Sequence, residues 1–176
     1  MVPNKLITGA IIAGAALLIL RPRDNGKGYY SGLDSVPDLI MRAQFRTVAQ
    51  TLRIPVGLLV EIARIESRFN PNTPDGRDGE IGLMQIKPTT VALFGGTADD
   101  LRYSSSAIYY AGMYLRWIAD RIGEDWYSVA VGYNGGPGYV IPGTPYYAKG
   151  PSTAARLYGA RVYTYPSADP NYFIQG

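Results

Sequence analysis

Hydrophobic and polar positions divide the chain into zones with different periods. Leu6 to Leu20 is an unbroken uncharged run, bracketed by Lys5 on one side and Arg21, Arg23 and Lys27 on the other. As a helix it would be about 22 Å long, short of the roughly 30 Å hydrocarbon core of a bilayer, with basic side chains at both ends long enough to snorkel. The run meets Arg21-Pro22-Arg23 with no small-residue cleavage region before it. The pattern therefore predicts an N-terminal membrane-anchor helix over residues 1–20, in preference to a cleaved signal peptide or a buried helix. Residues 21–36 are Gly-rich and of mixed charge, and read as a flexible linker.

From Pro37 the period becomes helical. Ser35, Pro37 and Asp38 form a helix start, and Leu39, Ile40, Ala43, Val48 and Leu52 carry the apolar stripe to Leu52. A second start at Pro55 opens a helix ending near Ser67, and a turn-rich loop follows over residues 68–80. A short helix is expected after Pro88. A long one is expected from Ser105 to Ile122, with Ile108, Ala111, Leu115, Ile118, Ala119 and Ile122 at helical spacing. Another runs from Asp125 to Tyr133 and is stopped by Gly135, Gly136 and Pro137, and a further one lies near Thr153–Ala160. No strand pattern or internal repeat is present. The expectation is a mainly α domain over residues 37–165 with a tail at 166–176.

Composition narrows the chemistry. The chain is 47% apolar and 18% charged, which is ordinary for a globular protein. It has no cysteine and no histidine, which removes disulfides, thiol nucleophiles, Ser-His-Asp schemes and the common zinc sites. General acid–base work would fall to Glu, Asp, Lys or Tyr. A net charge of +3 is too small and too dispersed to argue for nucleic acid.

Glu66 is the residue out of place. At about 100° per residue it falls within the stripe of Leu59, Ile62 and Ala63, while Glu61, Arg64 and Arg68 fall on the opposite side, where a solvated helix puts its charges. A carboxyl kept from water in this way has a raised pKa and can hold a proton near neutral pH. The competing reading is a frayed helix end that lets Glu66 reach water or an arginine. Two later segments, Gly82–Ile86 (GLMQI) and Gly132–Gly138 (GYNGGPG), combine permissive glycines with the amides Gln85 and Asn134 and with Tyr133. Amides suit recognition of hydroxyl and acetamido groups, although either segment alone would serve as a cap or a turn.

Taken in order, Glu66-Ser67-Arg68-Phe69-Asn70-Pro71, then Gly82-Leu83-Met84-Gln85-Ile86 with Pro88, then Gly132-Tyr133-Asn134-Gly135-Gly136-Pro137-Gly138 resemble the signature blocks of the soluble-type (Slt-like) lytic transglycosylases. Tyr110-Ala111-Gly112-Met113-Tyr114-Leu115 resembles the long segment between the second and third blocks. The resemblance covers roughly residues 50–148. It implies a lysozyme-like catalytic domain that cleaves the glycan strands of bacterial peptidoglycan without a cofactor or metal. Glu66 would be the single acid/base and Ser67 its polar neighbour. Met84 and Gln85 would line the sugar cleft, with Met84 packing on a sugar ring, and Tyr133 and Asn134 would face the carboxyl. The family's Glu-Thr-x-x-Tyr-Val segment is matched in part by Gly143-Thr144-Pro145-Tyr146-Tyr147-Ala148, which lacks the Glu and offers Tyr147 as a further substrate contact. Glu80 departs from the small residues usual ahead of the second block and reads as a solvated loop position.

The activity so implied is cleavage between N-acetylmuramic acid and N-acetylglucosamine with formation of a 1,6-anhydromuramyl end. One rival is a goose-type-lysozyme-like muramidase, for which Asp75, Asp78 or Glu80 would position a water. Another is a non-catalytic wall-binding structural protein. Anchor, tether and wall-cutting domain together suit a membrane-anchored enzyme held to lipid through residues 6–20 and acting on the periplasmic wall. Local wall opening of that kind would serve a phage whose virion carries a membrane, or a bacterial envelope machine.

Overall fold

The computed structural model describes residues 33–136 and 153–164 of the chain. The expected anchor and the expected tail lie outside them, as does Tyr147. Among the described residues no helix is long and apolar enough to cross a membrane. The packed body reaches further back than residue 37. A 3-10 turn at Leu33–Ser35 buries Leu33, and Val36 is fully buried, so the end of the expected linker is part of the folded domain.

Helix α1 (Leu39–Leu52) begins on Asp38, whose carboxylate accepts a hydrogen bond from the Met41 amide at 2.7 Å, satisfying one of the first-turn donors. It ends on Arg53 in the left-handed region. Helix α2 (Val56–Ser67) follows and ends on two successive left-handed residues, Arg68 at φ 53° and Phe69 at φ 64°. That reversal throws the chain into the loop before the short helix α3 (Pro88–Val91). Short 3-10 turns at Ala92–Phe94 and Asp99–Arg102 lead into α4 (Ser104–Ile122). Helices α5 (Trp126–Gly135) and α6 (Thr153–Thr164) complete the described chain. The described residues contain no named strand, only an isolated antiparallel bridge between Ile81 and Ile86. The mainly α expectation holds.

Helix α2 is the hub, touching α1, α4, α6 and the Leu33–Ser35 turn. Its positions Val56 to Ala63 are all buried. This overturns the expected solvent-facing placement of Glu61. That side chain is 1% exposed and ion-paired to Arg64 Nε at 2.7 Å, because a helix enclosed by several neighbours has no wide polar face. Burial raises the Glu61 pKa, against the hydrogen bond and charge of Arg64. Around the hub, Phe45 and Val48 of α1, Ile108, Leu115 and Ile118 of α4 and Val129 and Val131 of α5 fill the core. Helix α6 lies closely on α5 at Gly159, where a Cβ would collide with Val131 Cγ2. That contact brings one face of α6 against the end of α2, where Glu66 sits.

Candidate active site

Glu66 lies in the last turn of α2, which Ser67 closes. The Ser67 side chain is buried and its hydroxyl donates to the Ala63 carbonyl at 2.9 Å. It satisfies the helix end and does not reach the cleft, contrary to the expected substrate contact. The left-handed pair Arg68–Phe69 stops the helix directly beyond it, leaving Glu66 half-buried at the mouth of a cleft of about 510 Å³.

The opposite wall is the turn between Ile81 and Ile86. Gly82 adopts φ 70°, and a Cβ there would strike the Leu101 carbonyl, so only glycine fits. The Gln85 amide donates to the Gly82 carbonyl at 3.1 Å and the Ile81 amide to the Ile86 carbonyl at 3.0 Å. Gln85 is itself left-handed at φ 46°, an unfavourable conformation for a non-glycine residue that the tight turn imposes. Its side-chain Nε2 donates to the Gly82 carbonyl at 2.9 Å, and Gln85 lines the cleft. With the nitrogen committed to backbone, the amide oxygen remains to accept a hydrogen bond. Met84 points the other way. Its side chain is fully buried, so the expected packing on a sugar ring is not met. Its carbonyl instead accepts from the Tyr133 hydroxyl at 2.8 Å.

The remaining wall is the end of α5, with Tyr133 and the exposed Asn134 lining the cleft. Tyr133 is 7% exposed and is packed between Tyr114, 5.5 Å away between ring centroids, and Tyr158 of α6, stacked at 6.5 Å and 12°. Tyr158 and Arg161 of α6 are the residues that the sequence reading missed. The Tyr158 hydroxyl is buried and has no hydrogen-bond partner of ordinary geometry among the described residues. It nevertheless lies close enough to Glu66 to influence its ionisation.

The electrostatics follow from this packing. Burial pushes the Glu66 pKa above its ordinary value of 4.5. Tyr158 opposes this by its hydroxyl, the charge of Glu80 adds to it, and the charge of Arg161 opposes it. Tyr133 and Tyr158 are both driven far above the ordinary phenol range, by burial first and then by the neighbouring Glu66 charge. Both therefore stay neutral; the Tyr133 proton is committed to the Met84 carbonyl, which leaves that of Tyr158 available to donate. Of the other carboxylates considered, Asp75 is exposed and held by both terminal nitrogens of Arg102 at 2.9 and 2.8 Å. Asp78 and Glu80 line the cleft.

This is a helical domain with a half-buried acid facing an amide-bearing turn across an open groove, an arrangement suited to protonating a leaving oxygen. The family model described as Transglycosylase SLT domain matches residues 44–148, and the chain belongs to that family. The chain is also similar to the crystal structure of the 70 kDa soluble lytic transglycosylase SLT70 from Escherichia coli, with a TM-score of 0.58 and 26% identity. The match covers 69% of this chain and 22% of that one, so this chain corresponds to about a fifth of the larger protein. No curated protein matches the sequence.

Proposed function

We propose that the protein is a peptidoglycan lytic transglycosylase that cleaves the bond between N-acetylmuramic acid and N-acetylglucosamine and leaves a 1,6-anhydromuramyl end. The observation that carries this reading is the desolvated carboxyl of Glu66, set between neutral buried tyrosines and an amide-lined groove. As the acid, Glu66 protonates the oxygen between the two sugars while the anomeric carbon becomes oxocarbenium-like. The resulting carboxylate then takes the proton of the muramyl C6 hydroxyl, and that oxygen attacks the anomeric carbon, so no water is consumed. One side chain serves as acid and then base, which its raised pKa favours. The carboxylate formed midway would receive the Tyr158 proton donor, whose hydroxyl has no other partner among the described residues. The Gln85 amide oxygen and Asn134 would bind sugar hydroxyl or acetamido groups.

Glu66→Gln should abolish clearing of purified cell walls while leaving binding. Mass spectrometry of the released muropeptides tests the product, because an anhydro end is lighter by one water than a hydrolysed one. Hydrolysed ends would instead support the muramidase reading, for which Asp78 and Glu80 in the cleft supply carboxylates that could hold a water. The apolar run at residues 6–20 supports a membrane tether that confines cutting to the wall beside it, in the phage or envelope-machine setting that this layout suits. Retention of residues 1–20 in the mature protein, and its fractionation with lipid, test the tether.

A further inference from the structure

Glu80 stands on the cleft wall with Glu66, and the transfer described above gives it no task. It is not the solvated loop residue that the sequence suggests. Its side chain is 25% exposed, and a carboxylate oxygen lies 3.3 Å from Lys87 Nζ. The other oxygen accepts from the Asp78 amide at 3.1 Å. The backbone is pinned as well, since the Glu80 carbonyl accepts from the Gly76 amide at 2.7 Å and the next residue, Ile81, is bridged to Ile86. Gly76 leaves room for this. A Cβ there would collide with Glu80 Oε2 and come within 3.0 Å of Gln85 Oε1. The loop thus packs a charged carboxylate beside the amide that faces the groove, in the cleft that holds the acid.

We propose that Glu80 is a positioning residue for Glu66: its fixed carboxylate, partly neutralised by Lys87, sets how readily the acid gives up its proton. This rests on the reading of Glu66 as the acid. Like charges in a cleft that limits water repel more strongly than in bulk solvent, so a nearby carboxylate favours the neutral form of its neighbour. The groups acting on Glu66 come from several elements. Tyr158 and Arg161 on α6 favour the carboxylate, Glu80 on the loop favours the acid, and Tyr133 on α5 is affected in turn by the Glu66 charge. Glu80 itself remains ionised. Burial works against its charge, but its own amide, Lys87 and the Asp78 amide outweigh that and hold its pKa below the ordinary value.

The test is a carbon-13 NMR titration of the Glu66 side-chain carboxyl in the full chain, with the resonance assigned by its loss in Glu66→Gln. In Glu80→Gln the Glu66 midpoint should move to lower pH, and in Lys87→Gln, which leaves Glu80 less neutralised, to higher pH. Loosening of the loop would move both variants in the same direction. An unchanged midpoint in Glu80→Gln, or shifts of the same sign in the two variants, overturns the proposal. If Glu80→Gln does not fold, Lys87→Gln alone decides, since an unmoved or lowered midpoint there contradicts the role. The titration needs no turnover. A wild-type protein that fails to cut walls would therefore sink the reading of Glu66 as the acid, whereas the titration reads the coupling of Glu80 to Glu66 separately.

Discussion

The Tyr133 hydroxyl donates to the Met84 carbonyl at 2.8 Å in a fully buried contact, tying the end of α5 to the turn that presents Gln85. Tyr133→Phe would keep the ring packing on Tyr114 and Tyr158 and leave the Met84 carbonyl buried and unpaired. An orphaned buried acceptor costs about 1–3 kcal/mol, so the variant should melt earlier in a thermal scan. Wall clearing should fall further than stability explains, because the turn bearing Gln85 loses its tether. A variant with wild-type melting and wild-type clearing would show that the contact is dispensable.

The acid itself makes a pH prediction whose sign is fixed by linkage. The folded-state pKa of Glu66 is raised above 4.5, with burial as the leading cause. The protonated group therefore contributes stability that is complete below the unfolded value and is lost as pH rises through the folded value. Glu66→Gln carries no ionisable group there. Denaturant midpoints of the wild type should fall relative to Glu66→Gln as pH is raised from about 4 toward neutrality. A constant difference between the two across that range would mean that the carboxyl is solvated.

Much of this was legible in the sequence, and the misses share a cause. Helix positions followed from apolar spacing, and Glu66 stood out because a charge interrupted a stripe. The same signal lay unread in α6. Ala155, Tyr158 and Val162 are its buried hydrophobic residues, at helical spacing, and a tyrosine in that stripe marks a hydroxyl taken inside. Tyr147, in a segment that matches the family pattern in part, lies outside the described residues. Glu61 was misplaced because a single periodicity assumes one wet face, whereas α2 has neighbours on several sides. The burial of Met84 could not be read either. It depends on the left-handed Gln85 and on the collision that keeps Gly82 a glycine, and both are tertiary facts.

Close packing of α6 on α5 offers a graded test of whether Tyr158 matters. A Cβ at Gly159 would meet Val131 Cγ2, a β-branched atom with little freedom to move. Overpacking of that kind costs about 1–3 kcal/mol. Replacing a mid-helix glycine by alanine returns about 1 kcal/mol. Gly159→Ala should therefore be destabilised by at most about 2 kcal/mol, yet lose clearing activity because α6 shifts Tyr158 relative to Glu66. Tyr158→Phe, which leaves the packing intact and removes only the hydroxyl, should lose activity with little change in melting, since that hydroxyl has no hydrogen-bond partner of ordinary geometry among the described residues and acts on Glu66 alone. Full activity in both variants would remove α6 from the site.

Whether Asp75 positions a water can be decided by substitution alone. Were a water to be positioned from the loop after α2, Asp75 would be a natural choice by sequence. In the fold its carboxylate is turned to Arg102 in a bidentate pair that lowers its pKa, through the Arg102 hydrogen bonds first. The pair is exposed on both sides, where salt screens it and removing one partner leaves no buried charge behind. Asp75→Asn should clear walls at close to the wild-type rate and release the same ratio of anhydro to hydrolysed ends. A change in that ratio, read by mass spectrometry, would place Asp75 in the chemistry and favour hydrolysis.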